Sequence, residues 1–251
     1  MTRDQLIQAV ALRMDEITPS GALDNITVDG SDNNPLYELI DGLIDGGVLE
    51  LFSVAPFWRL PQTTFSYNST AANNQIIVEA LPSVLGLVTH NANGDTVAET
   101  RYIIRLKVPE DFLRVAEISC DAFLRPITEV FPEQSEQGKR QHNRFLIARE
   151  SRPVGIISHG VWNSAQCREI DCYSLTNTIA TADINTKVHA SYIAKPPVIK
   201  DTATVVTVED ALGGSVLIPA LEWLIAARTF GARGDANHAA ICQQNAQNLL
   251  V

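Results

Sequence analysis

Four cysteines and five histidines are the residues of this 251-residue sequence best suited to nucleophilic or metal chemistry. Cys167 and Cys172 stand five apart, whereas zinc and redox sites use the CxxC spacing that puts two thiolates on one centre. His90, His142, His159, His189 and His238 are scattered, and no two of them stand four apart around a carboxylate as in a zinc hydrolase helix. A Cys–His catalytic pair would require Cys120, Cys167 or Cys172 to meet His159 or His189 in space. Nothing local in the sequence joins them, and the four cysteines, Cys242 included, read as buried free thiols. Asp29-Gly30-Ser31-Asp32-Asn33-Asn34 has the composition of a calcium loop. Its sixth and twelfth positions hold Asn34 and Ile40 where an EF-hand needs Gly and Glu, so it reads as a turn leading into a helix. There is no P-loop, no GxGxxG after a strand, no GxSxG and no HExxH. The sequence therefore predicts no catalytic, cofactor-binding or metal-ligating residue and no cofactor, and points away from an enzyme.

Two further motifs have structural readings. Arg233-Gly234-Asp235 spells an integrin-type tripeptide, but it falls in a turn between two helices where Gly and a capping Asp are needed anyway. Lys139, Arg140, Arg144, Arg149 and Arg152 make the one basic stretch, interrupted by Phe145-Leu146-Ile147. A salt-bridged subunit contact or a solvated helix face suits it better than nucleic acid.

Composition agrees with a chain built for packing. Charged residues are only 19% of the total, below the usual quarter, so Asn, Gln, Thr and Ser carry much of the surface. Interfaces deplete charge at their centres, and such a surface suits subunits that pack together. The formal net charge is −10. That disfavours tight binding to phosphates, although an acidic wall would let DNA slide past without sticking. Met1-Thr2-Arg3 leads straight into an amphipathic pattern rather than a signal peptide. No stretch approaches the roughly 20 apolar residues of a membrane span, so no membrane association is expected. The Asn-x-Ser/Thr triplets at Asn25 and Asn68 mean little without secretion.

The elements that must position these residues fall into three runs. Thr2 and Gln5 form a capping box for a first helix whose apolar face is Leu6, Ile7, Val10, Met14 and Ile17. After a loop over 18–34, Asn34 and Pro35 open a second helix carrying Leu36, Leu39, Ile40, Leu43, Ile44, Leu51 and Phe52. Gly42, Gly46 and Gly47 weaken it and mark a packing seam or a kink. The period then changes to that of strands at Thr63–Tyr67, Ile76–Ala80, Leu85–Thr89, Tyr102–Val108, Phe112–Ser119, Val154–Ser158, Glu169–Tyr173 and Val188–Ile193. Asn93-Gly94 supplies a hairpin turn. Residues 132–148 read as polar and partly helical. Ser215 opens a helix through Phe230. Asp235 caps a last one through Leu250, whose stripe includes Cys242, Ala246 and Leu249. Together these predict an α+β protein, with residues 1–58 and 210–251 forming a helical body and 59–209 a β-rich portion.

The whole layout resembles the adaptor-ring subunits with which short-tailed bacteriophages join capsid to tail, and it is most similar to the neck ring proteins of crAss-like phages. The resemblance rests on Met1 to Ile17, Pro35 to Phe57-Trp58, Pro109-Glu110-Asp111-Phe112-Leu113-Arg114, Tyr192-Ile193-Ala194-Lys195-Pro196-Pro197 and Pro219 to Ala227. It implies a structural subunit of a head–tail connector, made in the host bacterial cytoplasm and incorporated in the virion neck or tail. It also implies a dodecameric homo-oligomeric ring, a central DNA conduit, the portal protein and adjoining tail or neck rings as partners, and no catalysis. The alternative from the sequence is another virion structural or glycan-binding module, for which clustered exposed aromatics on the middle strands would be the sign.

Overall fold

The structure, a computed structural model, describes residues 1–17, 35–67, 76–80, 88–90, 93, 96–98, 102–120, 123–143, 146–149, 151–162, 164–176, 188–199 and 206–251. The chain is an α+β protein with helices at both ends and a β-rich middle. It divides into a helical unit, Met1–Pro61 with Lys195–Val251, and a sheet unit, Gln62–Ala194.

The helical unit contains α1 (Arg3–Ile17), α2 (Pro35–Val54), a single 3-10 turn at Phe57–Arg59, α4 (Val208–Leu212), α5 (Ile218–Ala232) and α6 (Ala236–Leu250). α1 starts as its sequence dictates. The Thr2 hydroxyl accepts from the Gln5 N–H at 3.2 Å, and the Thr2 N–H donates to Gln5 Oε1 at 2.9 Å. Both partners satisfy N–H groups that a helix start leaves open.

At the centre lies α5. Ile218, Ala220, Leu221, Leu224, Ile225 and Phe230 are buried, and so are Glu222, Trp223, Ala226 and Thr229, so the helix has almost no solvent face. It packs against α1, α2, α4 and α6. A helix apolar on nearly every side is stable in water only when surrounded. Its one buried carboxylate, Glu222, is 6% exposed and is held by Arg13 Nε of α1 at 2.9 Å. The Arg13 guanidinium also lies 5.5 Å from the Trp223 ring centroid, so one cation answers a buried charge and an aromatic face together. A second pair, Arg228 to Glu50 at 2.6 Å, ties α5 to α2.

The glycines of α2 mark a seam, not a kink, since α2 runs unbroken from Pro35 to Val54. A Cβ at Gly47 would stand 2.7 Å from Ile225 Cγ1 of α5, while one at Gly42 would meet nothing within 4 Å. Gly47 is what lets the two helices approach.

The sheet unit is an insertion. It opens with β1 (Thr63–Tyr67) and closes with β10 (Val188–Ala194), and these two strands pair antiparallel with Thr63 opposite Tyr192. Chain entry and exit therefore lie side by side. β6 (Phe112–Cys120) completes a three-stranded sheet in the order β1-β10-β6. A five-stranded sheet has the order β2-β5-β9-β8-β7, from Ile76–Ala80, Tyr102–Lys107, Ala165–Thr176, Val154–Trp162 and Val130–Pro132. Between them sits the main core: Ile104, Leu106, Ile170 and Cys172 from the larger sheet, with Phe112, Ile118, Cys120, Val188, Ala190 and Tyr192 from the smaller. Strand alternation puts Ile103, Arg105, Glu169, Asp171 and Tyr173 on the larger sheet's other face. There Ile103, Ile156 and Tyr173 pack with Ile147 and Ala148. A bidentate Arg105–Asp171 pair, at 2.7 and 3.0 Å, is joined by Glu169 at 3.4 Å. Beside the sheets, β3 (Val88–His90) and β4 (Thr96–Ala98) pair antiparallel, as the hairpin at Asn93 predicts, although Gly94 lies outside the described residues.

Several expectations shift. The helical unit claims residues 59–61 and 195–209, which the sequence reading gave to the β-rich portion. Arg3 Nη1 donates to the Ile199 carbonyl at 3.0 Å, and α4 forms behind a Thr207–Asp210 capping box. Within 132–148 the described residues hold one helix, α3 (Glu136–Arg140), in keeping with the partly helical reading, whereas Val130–Pro132 is a strand running parallel to β8. Ser215 does not cap α5. Leu217 stands at that position without a side-chain bond, and Ser215 contributes only its carbonyl to the Ile218 N–H. On α6 the buried residue is Leu250 rather than Leu249, continuing Cys242 and Ala246 at intervals of four. The Asn34 cap, the 18–34 loop with its acidic cluster, Asn25 and Asn68 lie outside the described residues.

Replacing Gly47 by Leu is expected to destabilise the protein by about 1–3 kcal/mol through overpacking. Gly42→Ala stabilises it by about 0.5–1 kcal/mol, because open space leaves only the helix propensity gain. Urea unfolding followed by helical circular dichroism measures both, and equal effects at the two positions would contradict the seam.

Candidate interaction surfaces

The groups considered for nucleophilic chemistry are kept apart by the sheets. Residues directly opposite on paired strands share a face, and successive residues alternate. His159 pairs with Arg168 and Cys167 with Gly160, so His159 and Cys167 project from opposite faces. His189 pairs with Ser119 while Cys120 pairs with Val188, which separates those two in the same way. Cys120 and Cys172 are buried in the core between the sheets, whereas His159 and His189 are exposed. Burial, reinforced by the charge of Asp171 and by Cys120, pushes the Cys172 thiol far above its ordinary pKa. Burial likewise pushes Cys242 of α6 up to about 11. Among the described residues, no group of three or more His, Cys, Asp or Glu could hold a metal ion.

The Arg233-Gly234-Asp235 tripeptide does the work of a turn. Gly234 has φ +81°, a left-handed conformation costly for residues with a Cβ. The Asp235 carboxylate accepts from the His238 N–H at 3.2 Å and caps α6. Its carboxyl is held below its usual pKa, first by the hydrogen bond with the His238 ring and then by that N–H.

The two short segments central to the resemblance meet. Phe112 and Tyr192 lie with ring centroids 5.8 Å apart, and the Tyr192 hydroxyl donates to Asp111 Oδ1 at 3.1 Å. The Arg168 guanidinium covers the Phe112 ring at 5.4 Å and donates to the Phe112 carbonyl at 2.7 Å. This contact ties β6, β9 and β10 together and is structural.

Two surfaces have no such internal purpose. The first belongs to the helical unit. Residues 236–250 contain no Lys, Arg, Asp or Glu. On the exposed face of α6 stand Asn237, Ala240, Ile241, Gln244 and Asn248, a two-turn-and-more stripe of amides and aliphatics. At one end of α6, Arg59 donates to the main-chain oxygens of Leu249 and Val251 at 2.7 Å each. Its guanidinium there answers the negative end of the helix dipole. The same 3-10 turn presents Phe57 and Trp58, packed edge to face at 5.3 Å and 42% and 68% exposed. Nearby, a cleft of about 400 Å³ is lined by Val54, Pro56, Leu224, Gln243 and Leu250.

The second surface belongs to the sheet unit, where the basic stretch is gathered. Arg149 and Arg152 stand at the two ends of a tight turn closed by the Arg152 N–H and the Arg149 carbonyl at 2.8 Å. Arg140 on α3 pairs with Glu136, Lys139 is exposed, and Arg144 lies outside the described residues. Arg125 joins them. It sits in a loop pinned by reciprocal Ile118–Ile127 main-chain bonds of 2.8 and 2.9 Å. Two adjoining clefts result. One, of about 480 Å³, has Arg125, Thr128, Glu129, Gln137 and Arg152 in its wall. The other, of about 310 Å³, has Arg140, Arg149, Ser151 and Arg152. Sequence spacing could not bring Arg125 to this group, because the bridge that carries it is a tertiary contact.

The described aromatic side chains on the strands, Phe65, Phe112, Phe131, Tyr173 and Tyr192, are buried or half-buried. No protein-family model matches the chain, and no curated protein sequence matches it significantly. Among the described residues, no helix is long and apolar enough to cross a membrane.

In the native protein a disulfide-based thiol reagent should label one cysteine quickly, the half-buried Cys167. Cys167→Ser should remove the fast phase, with Cys120, Cys172 and Cys242 reacting only on unfolding. Fast labelling of two or more thiols would contradict the placement of the buried ones.

Proposed function

We propose that this chain is a structural subunit of a phage head–tail connector, forming a homo-oligomeric neck ring that joins portal to tail around the DNA channel. The observation that carries the reading is the exposed, charge-free face of α6. The solvent face of a surface helix carries charged or polar residues; that of α6 has amides and aliphatics and no Lys, Arg, Asp or Glu, the composition found at the centre of subunit interfaces, which are depleted of charge. Phe57 and Trp58, at the end of the same helix, add the aromatic anchors on which interfaces concentrate their binding energy. The resemblance in layout supplies the particular assembly: a closed ring, dodecameric in that family, with portal and adjoining tail or neck rings as neighbours. On this reading the protein performs no catalysis and holds no cofactor. It needs stable walls, an outer edge that grips its copies, and an acidic character that lets DNA pass.

Purified protein is expected to form rings visible by electron microscopy, or to assemble on portal. Adding charge to the α6 face with Asn237→Glu and Ile241→Glu should change folding stability by no more than about 0.5 kcal/mol, as for ordinary surface positions. The same pair should weaken self-association about tenfold or more in sedimentation experiments. A strictly monomeric wild-type protein that ignores portal would contradict the reading.

A further inference from the structure

The two units share charge unequally. The helical unit holds seven Lys and Arg against fifteen Asp and Glu, a net −8, whereas the sheet unit holds twelve against fourteen, a net −2. Within the sheet unit the arginine clefts reverse the sign locally. Arg125, Arg149 and Arg152 are exposed and make no ion pair or side-chain hydrogen bond among the described residues. Four guanidiniums line the two adjoining clefts, Arg140 being the one already paired, and among the described residues Glu129 is the only carboxylate in either wall. Like charges gathered in a concavity repel one another, and an anionic occupant with several carboxylate or phosphate groups relieves that repulsion.

The chain itself contains a matching surface. Glu38, Asp41 and Asp45 follow one another on a single face of α2, spanning about 10 Å of helix at 1.5 Å per residue. Asp4 of α1 joins them through the hydroxyl of Tyr37. Arg3 bonds Asp41 and lies 3.4 Å from Asp45, so one cation serves two of these carboxylates. Glu38 and Asp45 are exposed.

We infer that the arginine clefts of one copy receive the acidic α1–α2 face of the next copy, as the head-to-tail contact of the ring. The inference rests on the ring reading above and adds to it the surfaces that meet. A contact between two different surfaces is heterologous, the kind that closes into a ring by rotation. The occupant is another copy, because Glu38 and Asp45 are exposed on a helix that fixes their spacing and are opposite in sign to the clefts. Arginine suits the purpose, since its planar fork takes a carboxylate on two bonds.

Charge reversal in sedimentation and mass photometry tests this. Arg125→Glu with Arg149→Glu and Arg152→Glu should weaken self-association about tenfold or more, and Glu38→Arg with Asp45→Arg should do the same. A chain carrying all five substitutions should recover most of the loss. All sites are exposed, and circular dichroism verifies that each variant is folded. Wild-type association should also fall as salt rises from about 0.1 M to about 1 M, where screening shortens from about 10 Å to about 3 Å. Reversed chains that associate like wild type, or a fivefold variant no better than its parents, would overturn the inference while leaving the ring reading intact. So would a short DNA duplex that binds wild type but not the arginine variant, with self-association unchanged. A wild-type protein that never associates removes the ring reading and this contact together.

Discussion

Burial of α5 is the constraint from which the organisation of the chain follows. α5 has almost no solvent face, so it cannot exist until α1 and α2, from the other end of the sequence, surround it together with α4 and α6. Two chain segments more than a hundred residues apart must therefore fold as one body. Everything between Gln62 and Ala194 becomes an insertion whose ends have to return to the same place. Pairing β1 with β10, Thr63 opposite Tyr192, is the solution adopted. The closure is fine-tuned at two points. Gly47 lets Ile225 approach α2. Arg13 neutralises Glu222, which would otherwise be a charge stranded in the packed interior.

Once closed in this way, the insertion has to be stable through its own core. It is, because alternating residues of the two sheets face each other across Ile104, Leu106, Ile118, Ile170 and Val188. The polar face of the larger sheet is kept in register by the Arg105, Glu169 and Asp171 cluster. α3 and its flanking turns then have little structural duty beyond covering Ile147 and Ala148, where the buried Gln141 side chain accepts from the Ala148 N–H at 2.9 Å. Arg149 and Arg152, on the turn beyond α3, are exposed and make no ion pair among the described residues.

Much of this was legible in the sequence, for reasons tied to particular residues. α2 runs from Pro35 to Val54, β1 from Thr63 to Tyr67 and β2 from Ile76 to Ala80 as their patterns demand, because proline, glycine and a change of period are local signals. The misreadings came where local signals yield to tertiary ones. Ser215 has the chemistry of a cap, but the chain turns twice more before α5 begins at Ile218. Residues 130–132 are too few to show alternation, and they become a strand only because β8 lies beside them in parallel. The domain boundary after 194 could not be read from Lys195-Pro196-Pro197, since what places that segment with the helices is the Arg3 bond to Ile199. The absence of charge from α6 was visible in the letters 236–250. That those residues include an exposed face, the point that matters for function, was not.

The central claim is that these surfaces exist to hold copies of the chain in a ring at the head–tail junction. Electron cryomicroscopy of the native particle tests it most directly. The account predicts a closed ring of this chain between portal and tail, with the α6 face against a neighbouring subunit. Finding the chain absent from the particle, or present there only as isolated copies with α6 open to solvent, would contradict it.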